Sequence, residues 1–231
     1  MVSVIKTVFL DLDDTLLDFK RAEKNAVKNM LAHFGIEPED KIAERYAVLN
    51  SEQWQLHEKG ILTLAEVKVT RYERLIDEFS LPLDAHEATA CYEDMLCIGH
   101  FFMPGAEEML KAIYKKYDLY LASNGTPRVQ RSRIKSSGME KYLKNIFISG
   151  EIGFNKPDTK YFEYCFSRVE NFSRETAVMI GDRPTSDIKG GNDAGIRTIR
   201  FNPRGEENPV DIVPTYEVKA LAEIPSLLEK I

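Results

Sequence analysis

Two aspartates, Asp11 and Asp13, stand two residues apart in the segment DLDDTLLDF. On an extended segment side chains two apart share a face, so this pair points one way and Asp14 another. Two carboxylates so placed can hold a metal, or divide into a nucleophile and an acid. Taken alone, the triplet serves equally well as an acidic turn or a helix cap. Ser123, Asn124 and Gly125 form S-N-G, a hydroxyl followed by a turn whose backbone N–H groups can cradle an anion. Lys156 lies in GFNKPD, where Pro157 reads as a helix start. In GDRPTSDIKGGNDAG, Asp182 and Asp187 are spaced to reach one cation, and hard oxygen ligands with incomplete coordination suit Mg²⁺. The competing role for Asp187 is to offset a helix dipole. Gly190, Gly191 and Gly195 do not form G-x-G-x-x-G and read as packing and capping glycines.

Each candidate lies against an element able to hold it. Residues 4–10, VIKTVFL, are rich in β-branched and aromatic types and run straight into the first aspartates, which predicts a buried strand. DLYLAS (118–123), AVMIGD (177–182) and IRTIRF (196–201) have the same character, and helical stretches such as 105–116 and 158–169 separate them. Strands alternating with helices predict an α/β fold with a parallel sheet covered on both faces. Residues 18–98 break that rhythm and read as helices over 20–34, 39–49, 51–59, 63–79 and 84–98. Thr63 with Glu66, and Asp84 with Glu87, have the spacing of capping boxes. About 80 residues is too long for a loop in a compact domain, so this stretch reads as an inserted helical module with hinges at 14–19 and 98–104.

The whole chain sets limits on partners. Its 231 residues are 43% hydrophobic and 29% charged, as in a globular protein with a sizeable core. A formal net charge of -6 argues against nucleic acid as partner. No apolar run approaches the ~20 residues that cross a membrane, and the N-terminus lacks a secretory pattern. Cys91, Cys97 and Cys165 are odd in number and form no CxxC pair, which fits a reducing, cytoplasmic setting. His33, His57, His86 and His100 are scattered and support no histidine metal site or triad.

The order DxDxT, S-N-G, K-P and GDxxxxD, each motif just past an apolar strand or before a helix, resembles the haloacid dehalogenase-like hydrolase superfamily. That resemblance implies a three-layer Rossmann-like core at residues 1–17 and 99–231, with an all-helical cap domain at 18–98. DDTLLDF with Ala22-Glu23, SNGTPRVQ and GEIGFNKPD look like the bacterial branch that hydrolyses nucleoside 5′-monophosphates. Phosphatases for phosphoglycolate, sugar phosphates and N-acylneuraminate 9-phosphate share most of these residues. The local departure is Arg183, where many relatives carry a small or hydroxyl residue.

The resemblance implies a mechanism as well as a fold. Asp11 is the nucleophile that forms an aspartyl-phosphate, and Asp13 the acid and then the base. Asp11, the Asp13 carbonyl and Asp182 hold Mg²⁺, and Asp187 orients ligands or bound water. Ser123, the Asn124 backbone N–H and Lys156 hold the phosphate oxygens, while Thr15 stabilises the turn. The cap closes over the site and selects a small phosphorylated metabolite, with nucleotides the expected substrates and a monomer or homodimer the expected state. Trp54 and Phe19 are weighed as substrate contacts, and Arg128, with Arg131, Arg133 and Lys135, as a solvated helix face. Dehalogenation, phosphomutase activity and a non-catalytic binding role are the rivals.

Overall fold

The computed structural model describes residues 4–231, so the first three residues of the expected core segment 1–17 lie outside the described residues. In chain order, β1 (Thr7–Leu10) precedes four helices: α1 (Phe19–His33), α2 (Asp40–Glu58), α3 (Leu64–Phe79) and α4 (Ala85–Leu96). Then come α5 (Ala106–Ile113), β2 (Asp118–Ser123), α6 (Pro127–Ser137), β3 (Asn145–Ile148), α7 (Ser149–Ile152) and α8 (Thr159–Phe166). The chain ends with β4 (Ala177–Gly181), α9 (Lys189–Asp193), β5 (Arg197–Phe201), β6 (Tyr216–Val218) and α10 (Ile224–Leu228). It divides into two compact units. One comprises the chain up to Asp18, Phe102–Pro127 and Ser137–Ile231; the other comprises Phe19–Phe101 and Arg128–Ser136.

The first unit is a six-stranded parallel sheet in the order β3-β2-β1-β4-β5-β6, flanked by helices. Every residue of β1 and β4 is buried, which explains their near-continuous apolar runs. The Phe9 ring packs against Tyr120 and Phe166, with centroids 5.6 Å away in both cases. The strands β3 and β6, of four and three residues, fall outside the four apolar runs that the sequence predicts as strands. From β1 the chain moves outward to β2 and β3, then returns to the far side of β1 and moves outward again through β4, β5 and β6. The order therefore reverses at β1 and β4, and the carboxyl ends of strands at such a switch point are where open α/β sheets bind ligands. Leu10 pairs with both Leu121 and Ile180, which brings Asp11, Ala122 and Gly181 to one edge.

The second unit is helical and closes around Met30, Leu31, Tyr46, Leu49, Tyr72, Leu75 and Tyr92. Its second helix, α2, runs unbroken for 19 residues where the sequence predicts two helices, 39–49 and 51–59. Asparagine inside a helix ordinarily offers the backbone a competing hydrogen bond. Asn50 is buried instead, and donates to Glu23 Oε1 at 2.6 Å while accepting from Arg71 at 2.7 Å. With its carboxamide engaged by other helices, the backbone stays helical. The capping box of Thr63 and Glu66 forms as expected, and Asp84 caps α4 by accepting from the N–H groups of His86 and Glu87.

Residues 128–136 of α6 pack with this helical unit, although the sequence reading placed them in the α/β core because they follow β2 directly. Arg133 lies on no solvated face. It is fully buried and donates to Gly99 O at 2.8 Å and Gln130 Oε1 at 2.9 Å. Arg128 pairs with Glu93 and Asp94 within the same unit. Among the described residues no helix is long and apolar enough to cross a membrane.

Candidate active site

Asp11 is the first residue beyond β1, and its N–H bonds to Ile180 O at 2.9 Å, which extends the β1–β4 pairing by one step. The backbone then folds into a tight turn: Leu16 and Leu17 both donate to Leu12 O, and Asp14 takes a left-handed conformation with φ 60°. This turn separates Asp11, which is buried, from Asp13, which is half-buried, while keeping Asp13 close enough to act electrostatically on Asp11.

Lys156 is 1% exposed and uses all three ammonium donors. They go to Asp11 Oδ1 at 2.7 Å, Asp187 Oδ1 at 2.6 Å and Ala122 O at 2.6 Å. Burial alone would push the lysine down, but the Asp11 and Asp187 carboxylates outweigh it and hold the ammonium above its ordinary range. The peptide between Lys156 and Pro157 is cis, and α8 starts only at Thr159 with Asp158 as its cap. Pro157 therefore does not open that helix, contrary to the sequence expectation.

Asp187 sits in a π-helical turn, Pro184–Ile188, and is 1% exposed. Its second oxygen accepts from Arg183 N–H at 3.0 Å. A Cβ at Gly181 would lie 2.3 Å from that same oxygen, so only glycine at the end of β4 admits the carboxylate. Asp182 is tied to the turn after β1. Its N–H donates to Thr15 Oγ1 at 3.0 Å, and the same hydroxyl donates to Asp182 Oδ1 at 3.3 Å. Thr15 thus does more than hold its own turn, because it joins two motifs distant in sequence.

Ser123, buried at the end of β2, follows the carbonyl that receives Lys156. The Asn124 carboxamide turns toward the lysine's main chain, donating to Lys156 O at 2.8 Å and accepting from Lys156 N–H at 2.9 Å. Nothing local in the sequence signals this pairing, since S-N-G draws attention to backbone N–H groups.

Charge at the site is unbalanced. Oxygens of Asp11, Asp182 and Asp187 lie within 4.8 Å of one another, a set able to hold a metal ion. Burial pushes the Asp11 carboxyl up to about 7, Lys156 pulls against that, and Asp187 and Asp13 add to the rise. Burial likewise raises Asp182 well above the usual carboxylate range, reinforced by the charges of Asp11, Asp187 and Asp14. Three buried or half-buried carboxylates around one ammonium are the donor set a hard divalent cation needs. Lys156 and Arg183 engage both oxygens of Asp187, whereas Asp11 accepts from Lys156, and Asp182 from Thr15, through Oδ1.

The chain has relatives among known proteins. Residues 5–195 match the family model of haloacid dehalogenase-like hydrolases. The chain is 35% identical over 223 residues to the HAD-hydrolase YfnB of Bacillus subtilis, covering 96% of this chain and 95% of that protein. It is 34% identical to the pyrimidine 5′-nucleotidase PynA of Streptococcus pneumoniae (97% and 95% covered) and 29% identical to the pyrimidine 5′-nucleotidase YjjG of Escherichia coli (96% and 97%). The crystal structure of magnesium-bound YfnB superposes with a TM-score of 0.93 over 98% of this chain and 99% of that one.

Proposed function

This chain belongs to the haloacid dehalogenase-like hydrolases, and we propose that within that family it is a Mg²⁺-dependent phosphatase acting on nucleoside 5′-monophosphates. The observation that carries the proposal is Lys156 bridging Asp11 and Asp187 inside a buried acidic cluster at the switch point of the sheet. Nucleotides are favoured because PynA and YjjG, similar over nearly their whole length, are pyrimidine 5′-nucleotidases. The free thiols of Cys91, Cys97 and Cys165 support a reducing, cytoplasmic setting.

Asp11 attacks phosphorus through a carboxylate oxygen while the bond from phosphorus to the leaving alcohol breaks. Asp13 gives that departing oxygen its proton. Water then attacks the phosphorus of the aspartyl-phosphate and passes a proton to Asp13, and the bond to Asp11 breaks to release inorganic phosphate. Lys156 favours the ionised form of Asp11, which attack requires. Asp11, the Asp13 carbonyl and Asp182 would hold Mg²⁺, with Asp187 fixing their surroundings. When bound, the cation offsets repulsion between the carboxylate and an anionic phosphate. Ser123 and the Asn124 N–H face the non-bridging oxygens. The helical unit serves as the cap domain and chooses the substrate.

Phosphate release from nucleoside 5′-monophosphates, sugar phosphates and phosphoglycolate, ranked by kcat/KM, tests this. The expected result is turnover with Mg²⁺, lost in EDTA, and greatest for a pyrimidine nucleotide. A sugar phosphate ranked first would remove the nucleotide assignment. Turnover that survives EDTA would remove the metal.

A further inference from the structure

We infer that the Asn124 side chain is a positioning residue that sets the catalytic lysine from behind, an inference that rests on the phosphatase reading above. A lysine side chain has four rotatable bonds, so an ammonium is placed only as well as its own backbone is placed. Lys156 lies in the loop between α7 and α8, outside any strand or helix. Asn124 supplies what the loop lacks. Its Oδ1 accepts from Lys156 N–H at 2.9 Å and its Nδ2 donates to Lys156 O at 2.8 Å. This two-point pairing also fixes which way the carboxamide faces, since only one orientation matches a donor to an acceptor at both ends. Asn155 Nδ2 adds a longer bond to the same carbonyl at 3.2 Å.

Asn124 immediately follows β2, and the ammonium of Lys156 returns to Ala122 O in that same strand at 2.6 Å. The lysine is therefore held to one strand end at both extremities, its main chain by Asn124 and its ammonium by Ala122. From that fixed point it reaches Asp11 and Asp187. Asparagine is needed because it alone among residues of this length carries a donor and an acceptor side by side. Displacing a reacting group by ~1 Å can cost about 100-fold in rate.

The test is a double-mutant cycle in the full chain with Mg²⁺, using Asn124→Ala, Lys156→Met and the double variant, with CMP and p-nitrophenyl phosphate as substrates. Asn124→Ala is expected to lower kcat about 30-fold and change KM less than about 3-fold, equally for both substrates. In the Lys156→Met background the same change is expected to cost less than about 2-fold, because the group it positions is gone. Thermal unfolding serves as the control, and there the two changes add, since Asn124 pairs with main chain that remains. Asn124→Asp keeps the acceptor for Lys156 N–H but sets a second acceptor against Lys156 O, so its loss is expected to be at least that of alanine; it replaces alanine in the cycle should that variant fail to fold. Equal kcat losses in both backgrounds, a loss confined to one substrate, or full activity of Asn124→Ala would each overturn the inference while leaving the phosphatase standing. Wild-type protein that releases phosphate from no ester removes the phosphatase reading, and the inference with it.

Discussion

Both units bury a cation among polar groups, Lys156 in the α/β unit and Arg71 in the helical unit, and they surround it differently. Arg71 donates to Asn50 Oδ1 at 2.7 Å and Lys68 O at 3.3 Å, and its guanidinium lies 5.0–5.6 Å from the rings of Tyr46, Tyr72 and Tyr92. Asn50 passes the contact on to one carboxylate, Glu23, so charge is matched within the unit. Lys156 meets Asp11 and Asp187 directly, with Asp182 close by. There the carboxyl groups outnumber the cation. A balanced buried pair is architecture, whereas an unbalanced one waits for something to bind.

The largest effect that would break this contrast is loss of the proposed nucleophile. Asp11→Asn is expected to lower kcat by about 10⁴-fold or more with the fold intact, measured by phosphate release and circular dichroism. Substantial residual turnover would sink the covalent route. Lys156→Met is next, at about 10³-fold in kcat, since it removes the positive charge nearest Asp11. Arg71→Met is expected to act on stability instead, costing about 3 kcal/mol in urea unfolding because the buried Glu23 carboxylate loses the cation that faces it across Asn50. Replacing Glu23 and Arg71 together by apolar residues should recover much of that loss. If Arg71→Met matched Lys156→Met in kcat with no loss of stability, the division between the units would fail.

A smaller effect concerns pH. The folded pKa of Asp11, raised to about 7, lies above its unfolded value, so the folded state holds a proton that the unfolded state has released. Stability from this group is present below the ordinary carboxylate range and is lost as pH rises through about 7. In EDTA, Tm should therefore fall between pH 5 and pH 7.5, by about 5 °C more in wild type than in Asp11→Asn. At pH 7.5 the asparagine variant should be the more stable protein. Equal slopes in the two proteins would remove the claim that ionised Asp11 strains the fold. The smallest change is Thr15→Val, expected to cost about 1 kcal/mol and less than about 10-fold in kcat by loosening Asp182.

The site was legible because its carboxylates sit at strand ends. Asp11 and Asp182 each follow a fully buried strand, and burial on both faces leaves an apolar run that is easy to see. The sheet's short strands β3 and β6 left no such trace. Local spacing also conveyed the capping box at Thr63, where donor and acceptor lie three residues apart. It could not convey Glu23, Asn50 and Arg71, which meet across separations of 27 and 21 residues. The same limit hid Asn124 with Lys156, 32 residues on, and the packing of Arg133 into the helical unit. Gly181 did hold a cue, since a glycine before an aspartate, with a second aspartate six positions on, marks where a carboxylate folds back against the strand.

The bond between Thr15 and Asp182 spans 167 residues. A ribosome that has made β1, the whole helical insertion, β2 and β3 has still not completed the acidic cluster, because β4 and the aspartates after it come later. The first strand must therefore wait for its second neighbour through most of synthesis, with one edge unpaired. Chains cut short before residue 177 would carry Asp11 with neither Asp182 nor Asp187 beside it. The acidic cluster is thus assembled only once most of the chain exists.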